Sequence, residues 1–159
     1  MSNTDTESLS LQDRYAPQNK CFGCGPMNDQ GLRIKSFPRG DEVVCEFVPS
    51  PHHQAFQGVL NGGIVGALLD CHSNWTAIHA IMQRDHLDAA PAMVTADFHV
   101  TLKRPTALES KLTIRAKPVD VQADGVVVEA TIEANGKITS TCRGTFVAVK
   151  PGHPAYHRW

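Results

Sequence analysis

One segment of the sequence has the repeat of a long α-helix, and it limits what the rest of the chain can form. Between Gly62 and about Gln83, apolar residues recur at spacings of four, three, four, three and four, which is one stripe of an amphipathic helix. The stripe consists of Ile64, Leu68, Cys71, Trp75, Ile78 and Met82. This is the only long helix that the sequence predicts, so its apolar stripe has to be buried against a sheet.

Much of the remaining sequence alternates with the period of two that is typical of β-strands. In residues 94–103 one face holds Val94, Ala96, Phe98, Val100 and Leu102, and the other holds Thr95, Asp97, His99, Thr101 and Lys103. Shorter alternations predict strands at 32–35, 43–48, 112–117 and 126–134. Asn135-Gly136 predicts a two-residue turn into a last strand over about 137–149. The order of two strands, a helix and four strands predicts an α+β domain whose antiparallel sheet wraps the helix.

The composition excludes several classes of protein. Basic residues number 15 and acidic residues 16, for a formal net charge of -1, so we expect neither a nucleic-acid partner nor a membrane-surface module. No apolar run is long enough to cross a bilayer, and the polar N-terminus lacks the apolar core of a secretory signal. Five cysteines, an odd number, fit a reducing compartment, so a cytoplasmic protein is expected. We expect residues 1–20 to be a flexible lead-in, residues 21–150 to form the domain, and residues 151–159 to be an irregular tail.

A second face of the predicted helix carries only small or polar side chains. At about 100° per residue, this face holds Gly63, Gly66, Ala67, Asp70, Asn74 and Ala77. An ordinary solvent-facing helix would carry Lys, Glu and Gln there. Small residues instead allow a ligand or another backbone to approach closely.

The start of this helix and Asp70 together point to chemistry on a carbonyl group. The first amides, near Asn61, Gly62 and Gly63, have no partner inside the helix and carry the positive end of its dipole. They can therefore polarise a carbonyl oxygen. Asp70, two turns further on, could act as a nucleophile or as a general base for water. A purely structural interpretation stays open, with Asn61 as an N-cap and Asp70 in an ion pair at a subunit contact.

Three segments together resemble the hotdog-fold thioesterases, in particular the PaaI-like branch of the phenylacetic acid pathway. The run QGVLNGGIVGALLDCHSNWTA is similar to their helix region, which has an Asp eight residues after the first Gly of a pair, here Gly62 and Asp70. The run MVTADFHVTLKRP is similar to their next strand, which has a Thr near its start and ends in Arg-Pro. The run CFGCGPMNDQGLRIKSF resembles their N-terminal Cys-x-x-Cys-Gly, Asn, Gly-Leu signature. The resemblance covers about residues 21–150.

The resemblance implies a long helix wrapped by a curved, six-stranded antiparallel sheet. It also implies a homodimer, often paired into a tetramer, that hydrolyses acyl-CoA thioesters at the dimer interface without a cofactor or metal. Carried over by position, the Gly63 amide would hold the thioester carbonyl, and Asp70 would attack it or activate water. Thr95 of the partner subunit would help to place that water or nucleophile. Asn61 stands where the family usually has His, and Asn does not titrate near neutral pH.

Five further residues are candidates for substrate contact: Gln57, Gly62, Asn74, Lys103 and Arg104. Gln57 belongs to the loop that enters the helix, which lines the thioester site in this fold. Gly62 and Asn74 lie at the helix start and on its small-residue face. Lys103 and Arg104, at the end of the predicted strand, would suit the phosphates of coenzyme A. A solvated strand end is an equal alternative for these two residues.

The cysteines allow a metal site but do not favour one. Cys21 and Cys24 have zinc-knuckle spacing, yet a structural zinc needs four ligands and only two are evident. His52 and His53 could complete the set. A tight glycine-rich turn is the favoured interpretation, so no metal is predicted, and Cys71 is assigned to core packing.

Two other functions stay open. A hotdog hydratase needs a His and an Asp on a suitable loop-helix segment, and Asp70 and His72 point to different helix faces, which disfavours it. A non-catalytic acyl-ligand-binding domain is the other alternative, and Asn61 keeps it open. In an enzyme, Asp97 and His99 could form a relay toward Asp70, although such residues are more often pairs on a sheet surface.

Overall fold

A computed structural model describes residues 9–157 of the chain. In this part of the chain the elements are α1 (Leu11–Tyr15), β1 (Phe37–Arg39), β2 (Glu42–Phe47), a 3-10 turn (Pro51–His53), α2 (Gly62–Asp85), β3 (Met93–Leu102), β4 (Leu112–Val121), β5 (Gly125–Ala134) and β6 (Lys137–Ala148). The strands form one antiparallel sheet in the order β1-β2-β4-β5-β6-β3. Helix α2 packs against β3, β4, β5 and β6. This is the predicted hotdog architecture, a long helix wrapped by a six-stranded antiparallel sheet.

Helix α2 is buried around most of its circumference. The predicted stripe residues Leu68, Trp75 and Ile78 are buried. Leu69 and Ala77, which lie outside that stripe, are buried as well, because the sheet covers more of the helix than one stripe. Within residues 9–157, no helix is long and apolar enough to cross a membrane.

The turn between β5 and β6 has the predicted geometry. Asn135 and Gly136 have φ angles of 52° and 77°, the left-handed pair that a type I′ turn requires. Ala134 and Lys137 are paired directly across it. The β5–β6 hairpin was therefore predictable from the Asn-Gly dipeptide between two alternating segments.

The strand predicted at residues 32–35 is not found. Leu32 and Ile34 are buried, which accounts for their alternation. Their amides donate to the carbonyl oxygens of Phe22 and Gly23 and not to a neighbouring strand. This segment pairs with the N-terminal loop, and β1 begins only after it.

Residues 9–20 were expected to be flexible, but they contain a short helix with buried side chains. Leu11 and Gln12 of α1 are buried, and so is Ala16 at the end of the helix. Ser10 caps α1, since its Oγ accepts from the amide of Asp13 at 3.1 Å. Residues 1–8 and 158–159 lie outside the described residues, and residues 151–157 form turns and bends.

A buried hydrogen-bond network ties α1 to the core. Gln12 Nε2 donates to Ser36 Oγ, and Gln12 Oε1 accepts from the Ser36 amide, both at 2.8 Å. Ser36 Oγ lies 2.8 Å from His72 Nδ1, and His72 Nε2 lies 2.9 Å from the Val43 carbonyl oxygen. Because that carbonyl can only accept, Nε2 carries the ring proton and Nδ1 accepts from Ser36. Burial lowers the pKa of His72 to about 4, so the imidazole is neutral.

Candidate active site

The side chains of Asp70 and Thr95 meet between helix α2 and strand β3. Thr95 Oγ1 donates to Asp70 Oδ1 over 2.6 Å, and both residues are half-buried. Burial raises the pKa of the Asp70 carboxyl, the Thr95 hydrogen bond opposes that rise, and the charge of nearby Cys21 adds to it. A desolvated carboxylate of this kind is suited to accept a proton or to attack a carbonyl. The contact forms within one chain, whereas the resemblance implied Thr95 of the partner subunit.

A β-bulge aims Thr95 at the helix. The register of β3 against β6 skips one residue, Ala96, between Thr95 and Asp97. The extra residue puts Thr95 on the same face as Phe98, whose ring lies 4.0 Å from the position of a Cβ on Gly66 of the helix. Strict alternation had predicted Thr95 on the opposite face, and the bulge explains the difference.

Asp97 and His99 do not join this site. Both are exposed, and His99 lines a groove with Thr101 and Arg143 on the outer face of the sheet. The bulge leaves them on the side away from α2. The relay toward Asp70 is therefore not formed, and the favoured interpretation of these two residues, as sheet-surface residues, fits their exposure.

Asn61 caps helix α2 and engages the amide that the resemblance assigned to the substrate. Asn61 Oδ1 accepts from the amides of Gly63 and Ile64, at 2.8 Å and 3.1 Å. The Gly62 amide has no acceptor within residues 9–157. In this structure the free donor at the helix start is thus Gly62 and not Gly63.

The loop before α2 is fixed by backbone hydrogen bonds. The Asn61 amide donates to the His53 carbonyl oxygen, and the Leu60 amide donates to that of Thr106, each at 2.9 Å. His53 Nδ1 accepts a hydrogen bond from the Ser50 amide at 2.9 Å, so the imidazole ring helps to fix the conformation of this loop. Gln57 is exposed in this loop, and its contact with substrate stays a prediction.

Two of the three glycines of α2, Gly62 and Gly66, lie against apolar side chains of β3. Leu102 Cδ1 lies 3.4 Å from the position of a Cβ on Gly62, as Phe98 lies against Gly66. Phe98 and Leu102 nevertheless remain 42% and 57% exposed. Next to the small-residue face of α2, the side chains of Phe98 and Leu102 therefore form an apolar surface that remains exposed in a single chain.

The other predicted contact residues are spread along the same elements. Asn74 Nδ2 donates to the Met93 carbonyl oxygen at 3.3 Å. Asn74 Oδ1 is buried with no hydrogen-bond partner in the described chain. Lys103 and Arg104 are exposed and directly follow Leu102, so they flank the start of α2.

Cys71 makes a contact that sequence reasoning missed. The sulfur atoms of Cys21, Cys24 and Cys71 all lie within 4.8 Å of one another, and those of Cys21 and Cys71 are 3.8 Å apart. We call these three residues the thiol cluster. Hydrogen bonds from the Cys24 and Cys71 thiols lower the pKa of Cys21. Nothing in the sequence links positions 21–24 to a helix that begins at residue 62, so no signal could have found the third thiol.

Comparison with known proteins places this chain in a family. The sequence matches the model of the thioesterase superfamily over residues 57–141, a region that contains both Asp70 and Thr95. No curated protein matches the sequence.

Solved structures with the same fold include several thioesterases. A thioesterase superfamily protein from Shewanella loihica is 28% identical, with 74% of this chain and 91% of that chain covered and a TM-score of 0.62. A thioesterase from Haemophilus influenzae is 21% identical, covering 77% of this chain and 84% of that one, with a TM-score of 0.65. The PaaI protein from the Escherichia coli phenylacetic acid degradation operon is 16% identical, covering 75% and 81%, with a TM-score of 0.63. Because the family model spans more than half of the sequence, the chain belongs to the thioesterase superfamily.

Proposed function

We propose that the chain hydrolyses acyl-CoA thioesters, with Asp70 as nucleophile or general base. The observation that carries this proposal is the 2.6 Å hydrogen bond from Thr95 to Asp70. It holds a half-buried carboxylate on the glycine-lined face of α2. Membership of the thioesterase superfamily supports a thioester as the substrate, and the acyl-CoA class is our own assignment.

The Gly62 amide is the proposed donor to the thioester carbonyl. It is free, and it lies at the positive end of a 24-residue helix, where a developing oxyanion is stabilised. The Gly63 amide could serve only if the carbonyl displaced Asn61 Oδ1. We therefore move the role that the resemblance gave to Gly63 to its neighbour, and assign Asn61 to the positioning of the helix start.

Two chemical routes remain for Asp70. As a general base, Asp70 takes a proton from water while the water oxygen bonds to the carbonyl carbon. The carbon–sulfur bond then breaks, and the coenzyme A thiolate leaves and recovers the proton. As a nucleophile, Asp70 bonds to the carbonyl carbon and expels the thiolate, and water hydrolyses the resulting anhydride. In both routes Thr95 holds one carboxylate oxygen and leaves the other to react.

The proposed position of coenzyme A follows from the end of β3. Lys103 and Arg104 are exposed beside Leu102, which contacts the start of α2 at Gly62. An acyl-CoA whose carbonyl meets the Gly62 amide would bring its phosphates toward these two cations.

We propose that the active form is a homodimer. The mass of the protein in solution would show whether two dimers pair further into a tetramer. Strand β3 is at the edge of the sheet and presents the exposed side chains of Phe98 and Leu102. An exposed edge strand with apolar side chains is a template for pairing with another chain. A second copy of the chain that pairs with β3 would cover the site and form one side of the pocket for the acyl group.

The test is release of free thiol from a panel of acyl-CoA substrates. Asp70→Asn should lower kcat by about a hundredfold to ten-thousandfold, the usual contribution of a positioned acid or base. Asp97→Asn is the matched control, because Asp97 is two residues from Thr95 and faces away from the helix, and it should retain full activity. Equal activity of Asp70→Asn and the unaltered protein would rule out the role of this carboxylate.

A single turnover in water labelled with heavy oxygen separates the two routes. If Asp70 is the nucleophile and water attacks the anhydride at the carboxyl carbon of Asp70, labelled oxygen appears in the Asp70 side chain, which general-base catalysis cannot produce. If Asp70 is a general base, the label appears only in the released acid. Mass spectrometry of the peptide that contains Asp70 reads the result.

Non-catalytic acyl-CoA binding is the second candidate. The observation that favours it is the pair of hydrogen bonds from the Gly63 and Ile64 amides to Asn61, which occupy two of the first three amides of the helix. Tight calorimetric binding of acyl-CoA by the unaltered protein, without release of thiol from any member of the panel, would establish this function instead.

A further inference from the structure

We propose that the thiol cluster is a zinc site, in which Cys21, Cys24 and Cys71 bind one ion through their sulfurs and water is the fourth ligand. The site is distinct from the carboxylate of the proposed active site and does not depend on the function proposed for it. It also departs from the sequence-based expectation of no metal, because the sequence showed two cysteine ligands and the fold supplies the third.

The distances between the sulfurs fit a tetrahedral zinc ion. A zinc–sulfur bond is about 2.3 Å long, so the sulfurs on one edge of a zinc tetrahedron lie about 3.8 Å apart. Cys21 Sγ and Cys71 Sγ are 3.8 Å apart, and no sulfur in the cluster is more than 4.8 Å from the others. Small side-chain rotations would therefore bring all three onto one ion.

The surroundings of the cluster supply hydrogen-bond donors to its sulfurs. Trp75 Nε1 donates to Cys24 Sγ over 3.4 Å, and the Asn19 amide lies 3.9 Å from the same sulfur. Donors of this kind orient the ligands of a metal and offset their negative charge.

The turn that carries the first two thiols is built for close approach to the helix. A Cβ on Gly23 would lie 2.4 Å from Cys71 Sγ, and a Cβ on Gly25 would lie 2.4 Å from the Cys21 amide nitrogen. Glycine at position 25 lets the Cys-x-x-Cys turn close tightly, and glycine at position 23 lets it pack on α2 beside Cys71.

A disulfide explains the arrangement less well. It would join two of the three sulfurs and leave the third unused, and the Cys21–Cys71 separation of 3.8 Å is far longer than an S–S bond of about 2.05 Å. A disulfide would also require an oxidant. A metal uses all three thiols, and its binding releases their protons to solvent. The consequence of binding is a clamp that holds the N-terminal loop on α2, one residue beyond Asp70.

The test uses the reduced, metal-free full chain titrated without oxygen with Co²⁺, a spectroscopic substitute for Zn²⁺. We expect saturation at one cobalt per chain, with a sulfur-to-cobalt charge-transfer band that zinc abolishes. Cys71→Ala should lose this band. Cys45→Ala is the matched control, because Cys45 is a buried cysteine on β2 outside the cluster, and it should keep it. A titration that does not saturate at one ion, or a Cys71→Ala spectrum like that of the unaltered protein, would overturn the proposal.

A second measurement needs no variant and so does not depend on the folding of one. Alkylation of each cysteine is followed by mass spectrometry with and without Zn²⁺. Zinc should slow the labelling of Cys21, Cys24 and Cys71 by at least about tenfold, since a coordinated sulfur is a poor nucleophile, and should leave Cys45 and Cys142 unchanged. Labelling of the cluster at the same rate in both conditions would contradict zinc binding, as would a disulfide between cluster cysteines in place of bound metal.

Discussion

Thr95 reaches Asp70 because the residue that follows it, Ala96, has no partner in the neighbouring strand. The register of β3 against β6 skips Ala96, and this bulge turns the Thr95 hydroxyl toward α2, where it donates to Asp70 over 2.6 Å. An irregularity of one residue thus decides which polar side chain of the strand supports the carboxylate.

Replacing Thr95 by valine should impair turnover much more than binding. Thr95→Val keeps the shape of the side chain and removes its hydrogen bond to a charged group, which contributes about 1.5–3 kcal/mol. We expect kcat on acyl-CoA substrates to fall by about tenfold to a hundredfold, with little change in KM. Thr101→Val, on the outer face of the same strand, is the control for strand stability. Similar kinetic losses in the two variants would mean that the contact with Asp70 has no part in the reaction.

The N-cap of α2 can be tested by removing its side-chain oxygen. Asn61→Ala leaves the amides of Gly63 and Ile64 without their acceptor and should lower the free energy of unfolding by about 1 kcal/mol, as measured by urea denaturation. Gln57→Ala, four residues earlier in an exposed position, should change it little. If the Gly63 amide held the substrate carbonyl, Asn61→Ala would also raise kcat. We expect no such rise, because we assign that role to Gly62.

The buried network of α1 should make the N-terminal helix part of the cooperative fold. Gln12→Leu has similar volume but leaves the Ser36 amide without its acceptor, while the Ser36 hydroxyl keeps its hydrogen bond to His72. An unpaired buried amide costs about 1–3 kcal/mol, so the urea midpoint should fall clearly. Gln30→Leu, at an exposed position, is the control. An unchanged midpoint for Gln12→Leu would show that α1 is dispensable for stability.

The close approach of Gly23 to α2 gives a prediction about stability alone. A methyl group at this position would lie 2.4 Å from Cys71 Sγ, so Gly23→Ala has to push the loop away from the helix. Overpacking of this kind costs about 1–3 kcal/mol. In Gly125→Ala the new methyl group would have only ordinary contacts, the nearest at 3.5 Å, so this control should be far less affected. The measurement is the thermal unfolding temperature of the two variants and of the unaltered protein. Equal losses in the two variants would contradict the role of Gly23.

Periodicity and turn chemistry predicted the main features of the fold. The stripe from Ile64 to Met82 located α2, and Asn135-Gly136 located the last hairpin. The bulge at Ala96 was not predictable, because apolar and polar residues alternate through residues 94–103 without any irregularity in the sequence that would mark it. Segment 32–35 was assigned to a strand since burial of alternate residues looks the same whether the backbone bonds to a sheet or to a loop.

The site was only partly predictable for a related reason. Asp70 followed from the small-residue face, but the partner of each polar group depends on contacts between distant parts of the chain. Asn61 is a good N-cap by residue type, yet the sequence could not show that its side-chain oxygen would accept the hydrogen bond of the Gly63 amide. Cys71 and Cys21 meet only because a glycine-rich turn packs on the helix, which no spacing within either segment reveals.

The apolar edge of β3 makes the last prediction, which concerns assembly. Phe98 is 42% exposed on the face that looks toward α2, so in the proposed dimer it lies at the subunit contact. Phe98→Asp should convert the oligomer to a monomer, since a carboxylate buried in an apolar interface loses its hydration without gaining a partner. Light scattering measures the change in mass, and activity should fall with it because the acyl pocket loses its second wall. His99→Asp adds the same charge at the next residue, on the outer face of the sheet, and should leave both mass and activity as they were. A dimer that survives Phe98→Asp would place the subunit contact on a different surface.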